Sequence, residues 1–254
     1  MKVNFLGTGT SQGVPVIGCQ CQVCQSLDFR NKRLRTSIHI EVSGHSIVID
    51  TGPDFRQQML RSGVKKLDAV IFTHEHKDHT AGLDDIRPFN FLQKKDMPVF
   101  ATRPVLDQIQ REFSYIFSAE RYPGIPQVEC VEITTEPFQL SGINITPIPV
   151  LHYKLPVLGF RFGDFSYITD ANFIPDESYK RLEGTEVLVL NALQKEPHIS
   201  HFTLTQAIEQ ARKIGAKKTY FTHISHRLGL HQEVEKNLPE GMFLAYDGME
   251  LMIS

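Results

Sequence analysis

Residues 73–79 read "THEHKDH". His74, His76, Asp78 and His79 crowd together directly after the apolar run Ala69–Phe72. A polar surface loop has no need of ligand-type side chains at that density. Neutral imidazoles with a carboxylate are what Zn²⁺, Mn²⁺ or Fe²⁺ prefer. Alternation along the segment lets His74 and His76 face one ion while Asp78 and His79 turn toward a second. The stretch therefore reads as the seat of a two-metal site at the end of a buried strand.

Outward from this point, the pattern is one of short strands and intervening helices. Val3–Leu6, Ser37–Val42, His45–Asp50, Val99–Ala101, Ile145–Val150, Leu158–Phe162, Phe165–Thr169, Val187–Leu190, Lys218–Thr222, Met242–Tyr246 and Met249–Ile253 read as strands. Ser43-Gly44 and Gly163-Asp164 mark hairpin turns. Asp54–Ser62, stopped by Gly63, Pro104–Phe117 and Thr203–Ile214, closed by Gly215, read as helices. Residues 85–130 are the least regular part. With strands in both halves and no linker or repeat, the expectation is a single α/β domain over residues 1–254, a four-layer αββα sandwich.

Composition narrows the function classes. The 254 residues are 41% apolar and 22% charged, with a formal net charge of −2. That balance supports a sizeable core and does not advertise a nucleic-acid binder. No stretch approaches the ~20 apolar residues of a membrane-spanning helix, and the opening MKVNFLGTGT has no signal-like apolar core. A cytoplasmic, reducing location is the expectation, and there clustered cysteines favour metal binding or catalysis over disulfides.

The H-x-H-x-D-H string resembles the signature of the metallo-β-lactamase superfamily. That superfamily adds a histidine, an aspartate and a histidine at strand ends, and "PVLHYK", "YITDAN" and "YFTHIS" supply His152, Asp170 and His223 in that order. The resemblance implies one metal on His74, His76 and His152, a second on Asp78, His79 and His223, and Asp170 bridging. Two divalent ions roughly 3.5–4 Å apart lower the pKa of a shared water and stabilise charge on attacking and leaving oxygens. Phosphodiesters, thioesters and lactams all suit such chemistry.

Several features narrow the substrate. Lactamases of the fold are exported and lack the bridging aspartate. Thioester hydrolases of the glyoxalase II kind keep it and remain the alternative. Phosphodiesterases of the fold carry a further histidine before the last ligand, and "PHISHFTLTQA" offers His198 and His201. His201 precedes a helix start, where backbone N–H groups favour a phosphate, and it is the candidate general acid for a departing alkoxide. The pattern as a whole most resembles the phosphoribosyl cyclic phosphate phosphodiesterases of carbon–phosphorus lyase pathways, through "FLGTGTSQGVPVIGCQCQVC", "DHTAGLDDIRPF", "HISHFTL" and "THISH". The tRNA 3′-end-processing endonucleases are next. They insert a tRNA-holding arm between the third-histidine and aspartate motifs, whereas only 18 positions separate His152 from Asp170. A small, cyclic phosphodiester is therefore expected over RNA, hydrolysed with Asp78 and His201 as catalytic residues and a hydroxide between two zinc or manganese ions as nucleophile. A non-catalytic scaffold is disfavoured because no ligand is missing. A homodimer is the one assembly entertained.

Cys19, Cys21 and Cys24 in "GCQCQVC" need a fourth partner to close a tetrahedron. Cys130 lies in a stretch without a matching turn and reads as a lone core cysteine. His226, three residues after His223, is free, and the related cyclic phosphodiesterases use the same pairing. The expectation is a structural Zn²⁺ on Cys19, Cys21, Cys24 and His226. Asp84, Asp85 and Arg87 read equally as a carboxylate that orients a metal-bound histidine or as a helix-start charge pair, Asp247 as an orienting carboxylate or a turn residue, and Arg227 as an exposed cation.

Overall fold

Alternating and continuous runs of β-branched and aromatic residues build strands that meet at short, glycine-aided turns. In the Ser37–Val42/His45–Ile49 hairpin, Val42 pairs with His45, and Ser43 (φ 51°) and Gly44 (φ 79°) both take positive φ. That is the two-residue turn whose twist matches its strands. In the computed structural model, which describes residues 1–118 and 123–253, the strands assemble into two seven-stranded sheets. The first runs Glu250–Met252, Lys2–Gly7, Ser37–Val42, His45–Ile49, Ala69–Ile71, Met97–Ala101, Val128–Glu132. The second runs Met242–Leu244, Lys218–Thr222, Val187–Asn191, Phe165–Ile168, Leu155–Phe162, Ile143–His152, Phe138–Leu140. Each is part antiparallel and part parallel. The parallel strands are those from His45–Ile49 to Val128–Glu132 and from Phe165–Ile168 to Met242–Leu244.

Four layers result, as expected. Phe5, Ile38, Ile49 and Ile71 face Leu158, Phe160, Tyr167 and Val189 between the sheets. The helices Phe55–Ser62 and Arg103–Glu112 cover the first sheet with Phe55, Met59, Val105 and Ile109. Asp176–Leu182 and Leu204–Ile214 cover the second with Leu182, Ala207 and Ala211. Inner parallel strands such as Ala69–Ile71 are therefore buried on both faces and read as unbroken apolar runs.

Some elements differ from expectation. The helix expected over 104–117 breaks at Phe113 (φ −109°, ψ 39°) into Arg103–Glu112 and Ser114–Phe117, a turn that brings Ile116 into a buried position. The stretch 85–130 contains the helix Arg87–Gln93 and the edge strand Val128–Glu132, and residues 119–122 within it lie outside the described part. Cys130 sits on that edge strand, half-buried instead of in the core.

What the fold does for function is geometric. Parallel strands of both sheets end on one rim, where Asp50 follows Ile49, His74 follows Ile71, Asp170 follows Ile168 and His223 follows Thr222. His152 ends Ile143–His152 at the same rim. Asp50 (φ 66°), Asp170 (φ 55°) and His223 (φ 56°) all take the left-handed region. Backbone held there in non-glycine residues costs of order 1–3 kcal/mol each and marks sites where position outranks comfort.

Candidate metal centre

Asp170 organises the rim. Its Oδ1 lies 3.4 Å from His79 Nε2 and 3.3 Å from His223 Nε2, while its Oδ2 lies 3.8 Å from His74 Nε2. Asp78 Oδ2 closes the first of these groups, 3.3 Å from His79 Nε2 and 3.7 Å from His223 Nε2. These spacings leave His79 Nε2 and His223 Nε2 without a hydrogen bond. They match the edges of a ligand shell whose bonds to a metal are ~2.0–2.2 Å. His79 Nε2 and both ring nitrogens of His223 are buried without a hydrogen-bond partner, which is how donors aimed at a cation present themselves.

On the other side of Asp170, His74 Nε2 and His76 Nδ1 approach to 3.1 Å, and the His152 ring lies 5.8 and 5.1 Å from theirs, centre to centre. His152 donates Nδ1–H to Ser200 O at 2.7 Å, which leaves Nε2 free. His152 also groups with Asp170 and His201, ligand atoms mutually within 4.8 Å. Both groups fit a divalent cation by donor type and spacing. The structure thus brings His74, His76, Asp78, His79, His152, Asp170 and His223 together, and adds His201 to the wall.

Sequence reasoning missed Asp50. Fully buried, it accepts Thr73 N–H at 2.9 Å, Thr73 Oγ1–H at 2.9 Å and His79 Nδ1–H at 2.7 Å. Thr73 Oγ1 in turn takes His74 Nδ1–H at 2.9 Å. One carboxylate therefore fixes the ring orientation of His79 directly and of His74 through a hydroxyl, the arrangement that raises ligand basicity in metal sites. The acidic residue in "IDTG" at a strand end was the available signal. Asp84 pairs instead with Arg87 at 3.2 Å and receives the Tyr115 hydroxyl. Asp247 is a structural hub, accepting Thr8 Oγ1–H and Leu34 N–H, each at 2.8 Å. Arg227 is exposed. Asn191 brackets the Ala171 backbone with both ends of its amide (2.8 and 2.9 Å), locking the turn that carries Asp170.

The charges explain each other. Burial opposes ionisation of Asp170, but His223 and His79 hold its carboxyl well below the usual range. Burial alone would depress His79, yet Asp170, Asp78 and Asp50 surround it and keep its imidazole well above its ordinary value. A proton on His79 thus supplies the positive charge that three carboxylates demand, and a divalent cation between them would replace it.

His201 differs from expectation in one respect. Its helix start is already satisfied: Thr203 Oγ1 accepts Gln206 N–H at 3.2 Å and Gln206 Oε1 accepts Thr203 N–H at 2.9 Å. Leu204 N–H goes to Gln194 O at 2.9 Å. A reciprocal cap of this kind uses the first-turn amides that an anion would need, so a phosphate cradle at this helix is not supported. The imidazole itself is well placed, stacked on His223 at 4.7 Å with Nε2 4.0 Å from Asp170 Oδ2. Burial, and after it His223, push its basicity down to about 2. His198 is exposed and hydrogen-bonds locally through Nδ1 to Ser200 at 3.3 Å.

Cys19, Cys21 and Cys24 gather around His226. His226 Nδ1 lies 3.3 Å from Cys19 Sγ, 3.4 Å from Cys21 Sγ and 3.6 Å from Cys24 Sγ. Zn–S bonds of ~2.3 Å and Zn–N bonds of ~2.0–2.1 Å give tetrahedral S···N edges of roughly 3.5 Å. The Cys24 N–H holds the Cys21 thiol down to about 6, so it is ready to bind as a thiolate.

The clefts at this rim are small. One of about 300 Å³ borders His76 and His152, and one of about 250 Å³ borders His198 and His226. A larger cleft of about 640 Å³, lined by Lys2, His39, Glu41, His45 and Lys66 among others, lies at the opposite rim and contains none of these residues.

Comparison with known proteins gives the same picture. The family model described as "Beta-lactamase superfamily domain" matches residues 45–224. The crystal structure of a new diphosphatase from the PhnP family superposes with a TM-score of 0.93 at 42% identity, covering 100% of this chain and 98% of that one. A Porphyromonas gingivalis protein named octanoyltransferase is 40% identical over 256 residues, all of this chain but 52% of its own length. A Bradyrhizobium diazoefficiens ribonuclease Z is 29% identical over 135 residues, 52% of this chain and 44% of that protein. The chain spans about half the length of these two curated relatives. With the four-layer fold and a family model covering most of the chain, this protein belongs to the β-lactamase superfamily.

Proposed function

We propose that residues 1–254 form one catalytic unit that hydrolyses small phosphodiesters, cyclic ones above all, at a dinuclear site. The reading rests on one observation: Asp170 offers one oxygen to the His79–His223–Asp78 group and the other to His74, with His201 beside it. His74, His76 and His152 would hold one ion, Asp78, His79 and His223 the other, and Asp170 both. Zinc or manganese bound there would activate water and neutralise charge on the phosphoryl oxygens.

The chain's own residues do the rest. Asp50 and Thr73 keep His79 and His74 turned inward. His201 faces the site with Nε2 and is the proton donor to the departing oxygen. The negative charge of an arriving phosphodiester favours the imidazolium form that this role requires. Cys19, Cys21, Cys24 and His226 would hold a structural zinc that pins the N-terminal loop to the segment after His223, a role suited to a reducing, cytoplasmic setting.

The small clefts and the hairpin between His152 and Asp170 favour a small diester over tRNA. The Porphyromonas gingivalis protein's name points to acyl chemistry, but nearly half of that protein lies outside the match. The test is turnover with added Mn²⁺ or Zn²⁺. A five-membered cyclic phosphodiester should be cleaved far faster than either an acyl thioester or precursor tRNA. Preferred thioester hydrolysis would replace this reading with the glyoxalase II kind, and efficient tRNA processing with the endonuclease kind.

A further inference from the structure

The cysteine loop leans on its own sulfurs. Its apolar cluster is small: Val14, Val23 and Cys24 are the buried members, with Val16 and Leu230 packed beside them. Cys24 Sγ accepts Val16 N–H at 3.4 Å, and Cys21 Sγ accepts Cys24 N–H at 3.5 Å. Cys24 is buried, Cys19 and Cys21 are half-buried, and Ile17 is 99% exposed, so the loop lies at the surface. Loop and rim share one strut, residues 223–226, held at three points. Ile224 exchanges backbone hydrogen bonds with Thr8 and Thr10 (2.9 and 3.2 Å), Ser225 N–H goes to Leu193 O at 2.9 Å, and His226 meets the three sulfurs. His223, at φ 56°, begins that strut, and a strained conformation lasts only while its surroundings hold it.

We propose that Cys21 and Cys24 form an oxidant-sensitive latch on the rim: a peroxide joins them in a disulfide, the loop's zinc is expelled, and the rim then holds its own metal less tightly; this rests on the metal-site reading above. Zinc-bound cysteines are thiolates, the form that oxidants attack. Cys21 is the more open of the two, and Cys24 lies one turn on with its N–H already at Cys21 Sγ. The Cys21 thiolate takes one oxygen from the peroxide, whose O–O bond breaks, and becomes a sulfenic acid. The Cys24 thiolate attacks that sulfur; the S–S bond forms, the S–O bond breaks and hydroxide leaves. The two sulfurs lose two electrons, hydrogen peroxide gains them, and two protons from solvent complete two waters. Cys19 and His226 alone are too few to keep a tetrahedral zinc. With His226 released, two of the three holds on the strut remain. No rim ligand is lost, so the latch acts on metal affinity and excess metal refills the rim.

The test treats metal-loaded protein with hydrogen peroxide and then removes the peroxide with catalase. One zinc should pass to a coloured chelator, the cysteine thiols should fall from four to two, and peptide masses should show a Cys21–Cys24 bridge. Titration of the rim with Mn²⁺ should then give an affinity about 10–100-fold weaker, the range expected when a support behind metal ligands is lost. Dithiothreitol with zinc should restore it. Cys130→Ser should respond as the parent does, while Cys21→Ser with Cys24→Ser should start at the weaker affinity and ignore peroxide. Zinc that stays bound, thiols oxidised to acids that a dithiol cannot reduce, or a bridged protein with unchanged rim affinity would overturn the latch. A protein whose rim weakens on bridging but which cleaves no phosphodiester even when reduced would instead overturn the hydrolase reading and leave the latch standing.

Discussion

The cysteine loop and the histidine–aspartate rim both gather metal-ligand donors, yet they are finished differently. In the loop, three thiols and His226 surround one point with nearly equal spacings of 3.3–3.6 Å. Four donors saturate a tetrahedral ion and leave it nothing to do but hold. At the rim the donors form two groups sharing Asp170, a buried carboxylate behind them orients two of the rings, and a further histidine faces the site without needing to be a ligand. Closed geometry suits stability, while an open rim with a spare proton carrier suits chemistry. The two are three residues apart on one segment, His223 and His226, so the loop can steady the rim without taking part in it.

The largest effect that sharpens this contrast is expected at His201. His201→Ala should lower kcat by ~10²–10⁴-fold on a diester with a poor, alkoxide leaving group. The loss should shrink sharply with p-nitrophenolate, which leaves without a proton. Equal losses on both substrates, read in parallel steady-state assays, would make His201 a positioning residue and weaken the view of an open, acid-assisted rim.

Next comes Asp50. Asp50→Asn keeps the volume but removes the charge that orients His79 and, through Thr73, His74. Metal affinity or activity should fall about 10–100-fold, measured by metal titration followed by turnover. A negligible effect would mean that the rings are held by packing alone.

An effect on stability alone lies on the loop side. Arg33 and His231 are buried there together, His231 Nδ1 accepting from Arg33 Nη2 at 3.0 Å. Burial, then Arg33 and Arg30, push the His231 imidazole down to about 4. Its folded pKa thus lies below the unfolded value near 6.5, so between about pH 4 and 6.5 the unfolded chain binds the extra proton. Stability is fully present above that window and is lost as pH falls through it, by about 3 kcal/mol at most. His231→Gln should flatten this limb of the stability–pH curve in denaturant titrations. An unchanged limb would assign acid sensitivity to the rim.

The fold was largely legible because parallel strands buried on both faces, such as Ala69–Ile71 and Val187–Asn191, announce themselves as apolar runs. The edge strands Val128–Glu132 and Phe138–Leu140 were not, since their half-exposed faces mix polar residues with apolar ones. The clustered residues of the site were legible because a short, dense motif fixes its own neighbours. Asp50 was not, because its partners Thr73 and His79 come from another strand end and only the parallel pairing of His45–Ile49 with Ala69–Ile71 brings them together. The satisfied cap at Thr203 was likewise hidden, although Gln206 three residues on carried the signal of a capping box.

If the cysteine loop and the rim are separate metal sites with separate jobs, counting ions in paired variants will show it. Element analysis of chelator-free protein should find about three ions per chain, the sum of a saturated tetrahedron and a two-metal rim. Cys21→Ser with Cys24→Ser should lose one ion and lower Tm, while the rim still fills and turns over substrate. Asp78→Ala with His79→Ala should lose at least one ion and all turnover, while the loop keeps its zinc. A cysteine variant with unchanged metal content and Tm, or a rim variant that remains fully active, would contradict the division.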